Sequence, residues 1–187
     1  CTLSGGTCSI SASGLPVGSY ALAAVYAGDG TYLEGAATAS ASVVQAAVGV
    51  TVGTSPASPA FGEPVTITAS VAPTTATGAM TIRDGGTTLG SCVLAAGACS
   101  LTTSALAVGS DDLTASYAGD ANHLAGTSSA RTISVGRGAS SVVVTTSSAI
   151  VGSGQSVTFT VSVTPASATG TVSLQYGGAI GTCTLSG

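Results

Sequence analysis

The chain has 187 residues, only 5% of them charged; it lacks Trp and Lys, and its formal net charge is −4. Its three basic residues, Arg83, Arg131 and Arg137, are too few and too scattered to neutralise a run of phosphates, which argues against nucleic-acid binding. No apolar run approaches the ~18 residues of a membrane-spanning helix, no charged-then-apolar leader is visible, and the carboxylates Asp29, Glu34, Glu63, Asp84, Asp111, Asp112 and Asp120 are dispersed rather than massed in a tail.

In chain order, the first readable unit is Cys1-Thr2-Leu3-Ser4-Gly5-Gly6-Thr7-Cys8, a strand, a Gly-containing turn and a second strand. The run Leu15, Val17, Gly18 leads into a strand ending at Tyr26, and Tyr26-Ala27-Gly28-Asp29 follows as a turn. Beyond Ala46 the alternation is clearest at Val65, Ile67, Ala69 and Val71, with Thr66, Thr68 and Ser70 between them, the period of a half-buried strand. Further strands are expected over residues 79–83, 87–94, 98–102, 113–117 and 130–135, divided by turn signals such as Asp84-Gly85-Gly86 and Gly119-Asp120-Ala121-Asn122. About seven short strands in some 90 residues predict an all-β Greek-key sandwich.

The chain is internally repetitive. Cys1, Cys92 and Cys183 are spaced 91 residues apart, and the same offset carries Cys8 onto Cys99 and Tyr26-Ala27-Gly28-Asp29 onto Tyr117-Ala118-Gly119-Asp120. At an offset of 92, Pro64-Val65-Thr66-Ile67-Thr68 meets Ser156-Val157-Thr158-Phe159-Thr160 and Gly78 meets Gly170. The expected organisation is therefore the second half of a repeat over residues 1–46, one complete repeat over 47–137 and the first half of another over 138–187. Cys183-Thr184-Leu185-Ser186-Gly187 is identical to Cys1-Thr2-Leu3-Ser4-Gly5, which suggests a two-domain super-repeat of 182 residues and a chain that is a window on a longer polymer. Equally, the two half-repeats of neighbouring chains are expected to be able to complete one another.

The expected core comprises Val65, Ile67, Val71, Met80, Ile82, Leu101, Leu113, Tyr117 and Ile133, with Leu22, Tyr26, Val157, Phe159, Val161 and Val172 in the flanking halves. The tyrosine of Tyr-Ala-Gly-Asp is placed to tie a loop to a strand, as a corner tyrosine does.

Four motifs in order, Gly62-Glu63-Pro64-Val65-Thr66-Ile67-Thr68-Ala69, Thr77-Gly78-Ala79-Met80-Thr81-Ile82-Arg83-Asp84-Gly85, Ser104-Ala105-Leu106-Ala107-Val108-Gly109 and Tyr117-Ala118-Gly119-Asp120-Ala121-Asn122, resemble the bacterial immunoglobulin-like repeats of very large extracellular proteins. The resemblance implies tandem immunoglobulin-like sandwiches of about 91 residues in a secreted or surface array, often an adhesin stalk or spacer. The cysteine pair departs from the usual pattern of that family, and a chain without Lys cannot form the Lys–Asn isopeptide crosslink of some surface domains.

The spacing of Cys92 and Cys99 allows a hairpin to set them face to face within disulfide reach, and Cys1 and Cys8 repeat it. Each pair is expected to be a hairpin disulfide formed in an oxidising compartment, and each short loop suggests about 2 to 3 kcal/mol of stabilisation. Cys183 corresponds to Cys92, so its partner is expected just past Gly187. Buried free thiols and a zinc site are the alternatives, the latter short of ligands because His123 stands where the preceding copy has Tyr32.

No catalytic residues, cofactor or metal ligands are expected. A Ser/His/Asp relay would need His123 beside a nucleophile and an orienting acid, but it lies in an unrepeated turn. Asp29 and Asp120 recur, consistent with turn hydrogen bonding or, less so, calcium ligation. Two function classes stay open: a non-enzymatic structural module of a filament, fibre or stalk whose partners are neighbouring copies of itself, and an adhesive module that binds glycan or a surface receptor.

Overall fold

The computed structural model describes residues 1–186, and these contain strands and turns without a helix. Two compact units are present, Cys1–Gly136 and Arg137–Gly187. The first opens with a hairpin of β1 (Gly18–Tyr26) and β2 (Gly35–Val43), antiparallel with Leu22 opposite Ala39.

A two-sheet sandwich follows. β3 (Gly49–Ser55), β4 (Val65–Ala72) and β7 (Ala98–Thr103) form one sheet in the order β3-β4-β7. β5 (Ala79–Asp84), β6 (Thr87–Val93), β8 (Gly109–Tyr117) and β10 (Arg131–Val135) form the other in the order β10-β8-β5-β6, with β9 (Gly126–Thr127) beside the end of β8. Period-two alternation builds the core between them, because successive side chains of a strand leave opposite faces of its sheet. Val65, Ile67, Ala69 and Val71 point inward from β4, and Met80, Ile82, Leu113, Ala115, Tyr117, Ile133 and Val135 meet them from the second sheet. Ile67, Met80, Ile82 and Leu113 are fully buried, each gaining about 1.5 to 3 kcal/mol from leaving water.

Both ends of this sandwich are clamped. Ala46 forms a parallel bridge with His123, and the Gln45 side-chain amide donates to the Asp120 carbonyl at 2.7 Å. Where the chain leaves, Phe61 N–H donates to Gly136 O and Gly136 N–H to Pro59 O, each at 2.8 Å. The entry clamp lies by the start of β3 and the exit clamp just beyond its end, so the chain enters and leaves at opposite poles.

The second unit contains β11 (Ser141–Thr146) paired with β12 (Phe159–Thr164), and β13 (Thr169–Gln175) paired with β14 (Ala179–Ser186).

Three expectations are corrected. Leu101 is half-buried at the margin of the core, not within it. Among the flanking positions, Leu22 is 51% exposed and Phe159 39% exposed, while Tyr26, Val157, Val161 and Val172 are only half-buried. The alternation that marks an inward face is present in those hairpins, but these positions are more exposed than Ile67 and Leu113 in the sandwich. β8 also begins at Gly109 rather than Leu113, so Asp111 and Asp112 lie within the strand.

Candidate functional site

Two local structures concentrate the polar and covalent chemistry: the cysteine pairs, and the loop after each Tyr-Ala-Gly-Asp.

Cys92 is bonded to Cys99 with Cα atoms 5.7 Å apart, and Cys1 to Cys8 at 5.8 Å; Cys183 is free and exposed. The setting of the first bond differs from a hairpin ladder. Cys92 lies opposite Met80 on β6, whereas Cys99 lies opposite Ala69 on β7. β6 and β7 are edge strands of different sheets, linked to each other by a single Ala95–Ala98 bridge at their turn. The disulfide therefore staples one sheet to the other across the open edge of the sandwich. The Ser4–Thr7 bridge between Cys1 and Cys8 sits 91 residues before the Ala95–Ala98 bridge.

In the aspartate loop Gly119 adopts φ +88°, and a Cβ there would lie 2.9 Å from the His123 carbonyl oxygen; Gly28 stands likewise at φ +81°, 2.8 Å from Tyr32 O. Glycine is required at both because the chain turns back tightly on itself in a left-handed conformation. The turn aims backbone N–H groups at the preceding carboxylate. Asp120 Oδ1 accepts from Asn122 N–H and His123 N–H, each at 2.8 Å, and Asp29 Oδ1 accepts from Thr31 N–H and Tyr32 N–H at 2.7 and 2.8 Å. Both aspartates make the turn hydrogen bonds that their recurrence suggested.

Asp120 also reaches across the domain, accepting from Thr77 N–H at 2.9 Å and Thr77 Oγ1 at 3.1 Å, while the Tyr117 hydroxyl donates to Thr77 O at 2.9 Å. Tyr117 thus ties the end of β8 to the segment entering β5. The Thr77 N–H, with Asn122 N–H, the His123 ring and the Tyr117 hydroxyl, holds the Asp120 carboxyl well below the usual carboxylate range. In the earlier copy the Tyr26 hydroxyl donates instead to Asp29 Oδ2 at 2.8 Å.

The His123 ring is buried, with Nδ1 2.8 Å from Asp120 Oδ1 and Nε2 3.2 Å from Thr75 Oγ1. Sequence reading found neither partner. Thr75, His123 and Asp120 have the connectivity of a nucleophile, base and orienting acid, but their setting is that of a loop knot. Asp120 is committed to backbone donors. The Asp29 loop, moreover, makes the same turn with Tyr32 in place of His123. No group of His, Cys, Asp and Glu able to hold a metal ion occurs among the described residues.

Residues 51–136, which span the sandwich from β3 to the exit clamp, match the bacterial Ig-like domain family, group 3. The chain carries a bacterial Ig-like domain. No curated protein matches the chain. The inter-sheet disulfide of this Ig-like domain fits an oxidising environment. Its aspartate loop joins the pole where the chain enters, through Gln45 and Ala46, to the segment leading into β5, through Thr77.

Asp111, read from the sequence only as one of several dispersed carboxylates, projects into the Ig-like core. It is 5% exposed and its Oδ2 atom has no hydrogen-bond partner. Desolvation, then the neighbouring charges of Asp84 and Asp112, push its carboxyl above the usual range.

Proposed function

We propose that the chain is a non-enzymatic structural repeat module of an extracellular filament, fibre or surface-protein stalk. The observation that carries the reading is the recurrence, 91 residues apart, of the same disulfide-closed turn and the same Asp-centred loop on either side of the entry to the Ig-like domain. A domain entered at one pole and left at the other can be strung in series with copies of itself, as repeat arrays require. Disulfides placed once per repeat stabilise small Ala- and Val-rich sandwiches where thiols oxidise, which favours a position outside the cytoplasm.

The test is protease shaving of intact producing cells with an antibody to the Ig-like domain, followed by denaturing mass measurement before and after reduction. Release of the epitope from the cell surface, on a chain far larger than 187 residues that survives reduction, is the expected result. An epitope protected until lysis, with all cysteines reduced, would overturn the reading.

A further inference from the structure

Two acids meet at one end of the Ig-like core. Asp84 lies opposite Leu113 in the β5–β8 ladder, and Asp111 stands two positions before Leu113 on β8, opposite Ile133 of β10. Residues directly opposed across an antiparallel pair share a face of the sheet, as do residues two apart on one strand. Both acids are therefore on the inward face, where Leu113 and Ile133 are buried. Asp111 is 5% exposed there, and its side chain is within hydrogen-bonding reach of the Asp84 carboxyl. Asp84 Oδ1 accepts from Asp112 N–H at 3.1 Å, whereas the buried Oδ2 of Asp111 meets no donor. A buried carboxylate oxygen without a donor is costly, and a second carboxylate beside it adds repulsion. A proton between the two relieves both.

No cation takes the place of that proton. On β8 the neighbouring carboxylate is Asp112, which accepts from the Thr132 hydroxyl of β10 at 2.6 Å. The loop before β8 supplies a backbone donor at Ala107, and β10 packs Ile133 and Val135 inward. Glu63, in the loop that carries the exit clamp, is turned to Ala60 N–H. Arg83, Arg131 and Arg137 form no salt bridge with an acid among the described residues.

We infer that Asp84 and Asp111 hold a single proton between their carboxyl groups, a latch that joins β5 to β8 just inside the exit clamp and opens as pH rises. The Asp111–Ile133 pair is separated from the Gly109–Val135 pair by one step of the ladder, and Gly136 of the clamp follows directly. With the proton in place one carboxyl donates to the other; once it is released to water, two like charges face each other at a desolvated end of the core. Desolvation first, then the charge of Asp84, holds the Asp111 carboxyl above its unfolded value. The latch is therefore complete below the unfolded Asp value of about 4 and is lost as pH rises through the higher folded value.

The test follows the side-chain carboxyl carbons of the 187-residue chain by NMR, together with the hydrogen-exchange protection of Phe61 and Gly136 N–H, as pH is raised from 4. The Asp111 carbon is expected to titrate above the usual Asp range and the Asp84 carbon to move in the same step, as one shared proton requires. Protection at the clamp is expected to fall over that interval by up to about tenfold per pH unit, the slope of a single proton. In Asp84→Asn the Asp111 step is expected to move down by about one pH unit or more. In Asp111→Asn, whose amide donates to Asp84 in the proton's place, the fall in protection is expected to disappear. An Asp84 carbon that does not move with Asp111, or an Asp111 step unmoved in Asp84→Asn, would assign the shift to burial alone and overturn the sharing. Clamp protection that follows pH alike in the parent and in Asp111→Asn would overturn the latch. Displacement of the proton by added calcium at neutral pH would make the pair a cation site and overturn both. The measurements on the parent chain decide the sharing even where a variant fails to fold.

Discussion

At the scale of single residues, two aspartates respond to pH with opposite sign. Asp120 is held low, first by the Thr77 N–H, so its contribution to stability is present above the unfolded Asp value of about 4 and is lost as pH falls through the lower folded value. Chemical denaturation of the chain between pH 7 and pH 2 is expected to show falling stability below about pH 4. Asp120→Asn is expected to be less stable at neutral pH and to fall less steeply on acidification. Asp111 is held high, first by desolvation; its contribution is complete below the unfolded value and is lost as pH rises through the raised folded one. Asp111→Asn is therefore expected to be no less stable than the parent at pH 7, the reverse of Asp120→Asn, and a destabilised Asp111→Asn would refute the assignment. Asp120 was legible in the sequence because Tyr-Ala-Gly-Asp recurs. Asp111 was not, because strand pattern is read from apolar residues, and an acid on the inward face, two positions before Leu113, resembles the end of the strand.

At the scale of elements, alternation gave β4 and its core residues directly, since threonines and a serine separate Val65, Ile67, Ala69 and Val71. It did not give β3, whose Gly49-Val50-Thr51-Val52-Gly53 alternates only weakly and whose pairing is settled by β4 across the connection of residues 56–64. Cysteine spacing likewise indicated which thiols meet but not that β6 and β7 part into different sheets, because sheet membership is decided by the non-local partners β5 and β4. Removing the staple with Cys92→Ala and Cys99→Ala together is expected to cost about 2 to 3 kcal/mol in denaturant unfolding, and to leave a protein whose remaining Ig-like stability no longer responds to reductant. Gly119→Ala is expected to destabilise by more than about 1 kcal/mol, because the new Cβ meets the His123 carbonyl in a left-handed turn. Gly30→Ala, where a Cβ meets nothing, is the matched control.

At the scale of the whole molecule, the period of the cysteines is matched by the structure in two places: two closed disulfides and two aspartate-centred loops stand 91 residues apart. It could not foretell that Leu22 and Phe159 would stand exposed, since pattern records the face a residue is suited to and not whether that face is covered. The clamps at the two poles of the Ig-like domain have a mechanical consequence. Tension between residue 45 and residue 137 would act along β3 and load the Ala46–His123 and Ala60–Gly136 parallel bridges in shear, so that their hydrogen bonds must break together instead of unzipping one by one. In a load-bearing strand of such domains the weakest points would then be the junctions between successive sandwiches rather than their interiors, and stretching would extend the joints before it unfolded a single domain.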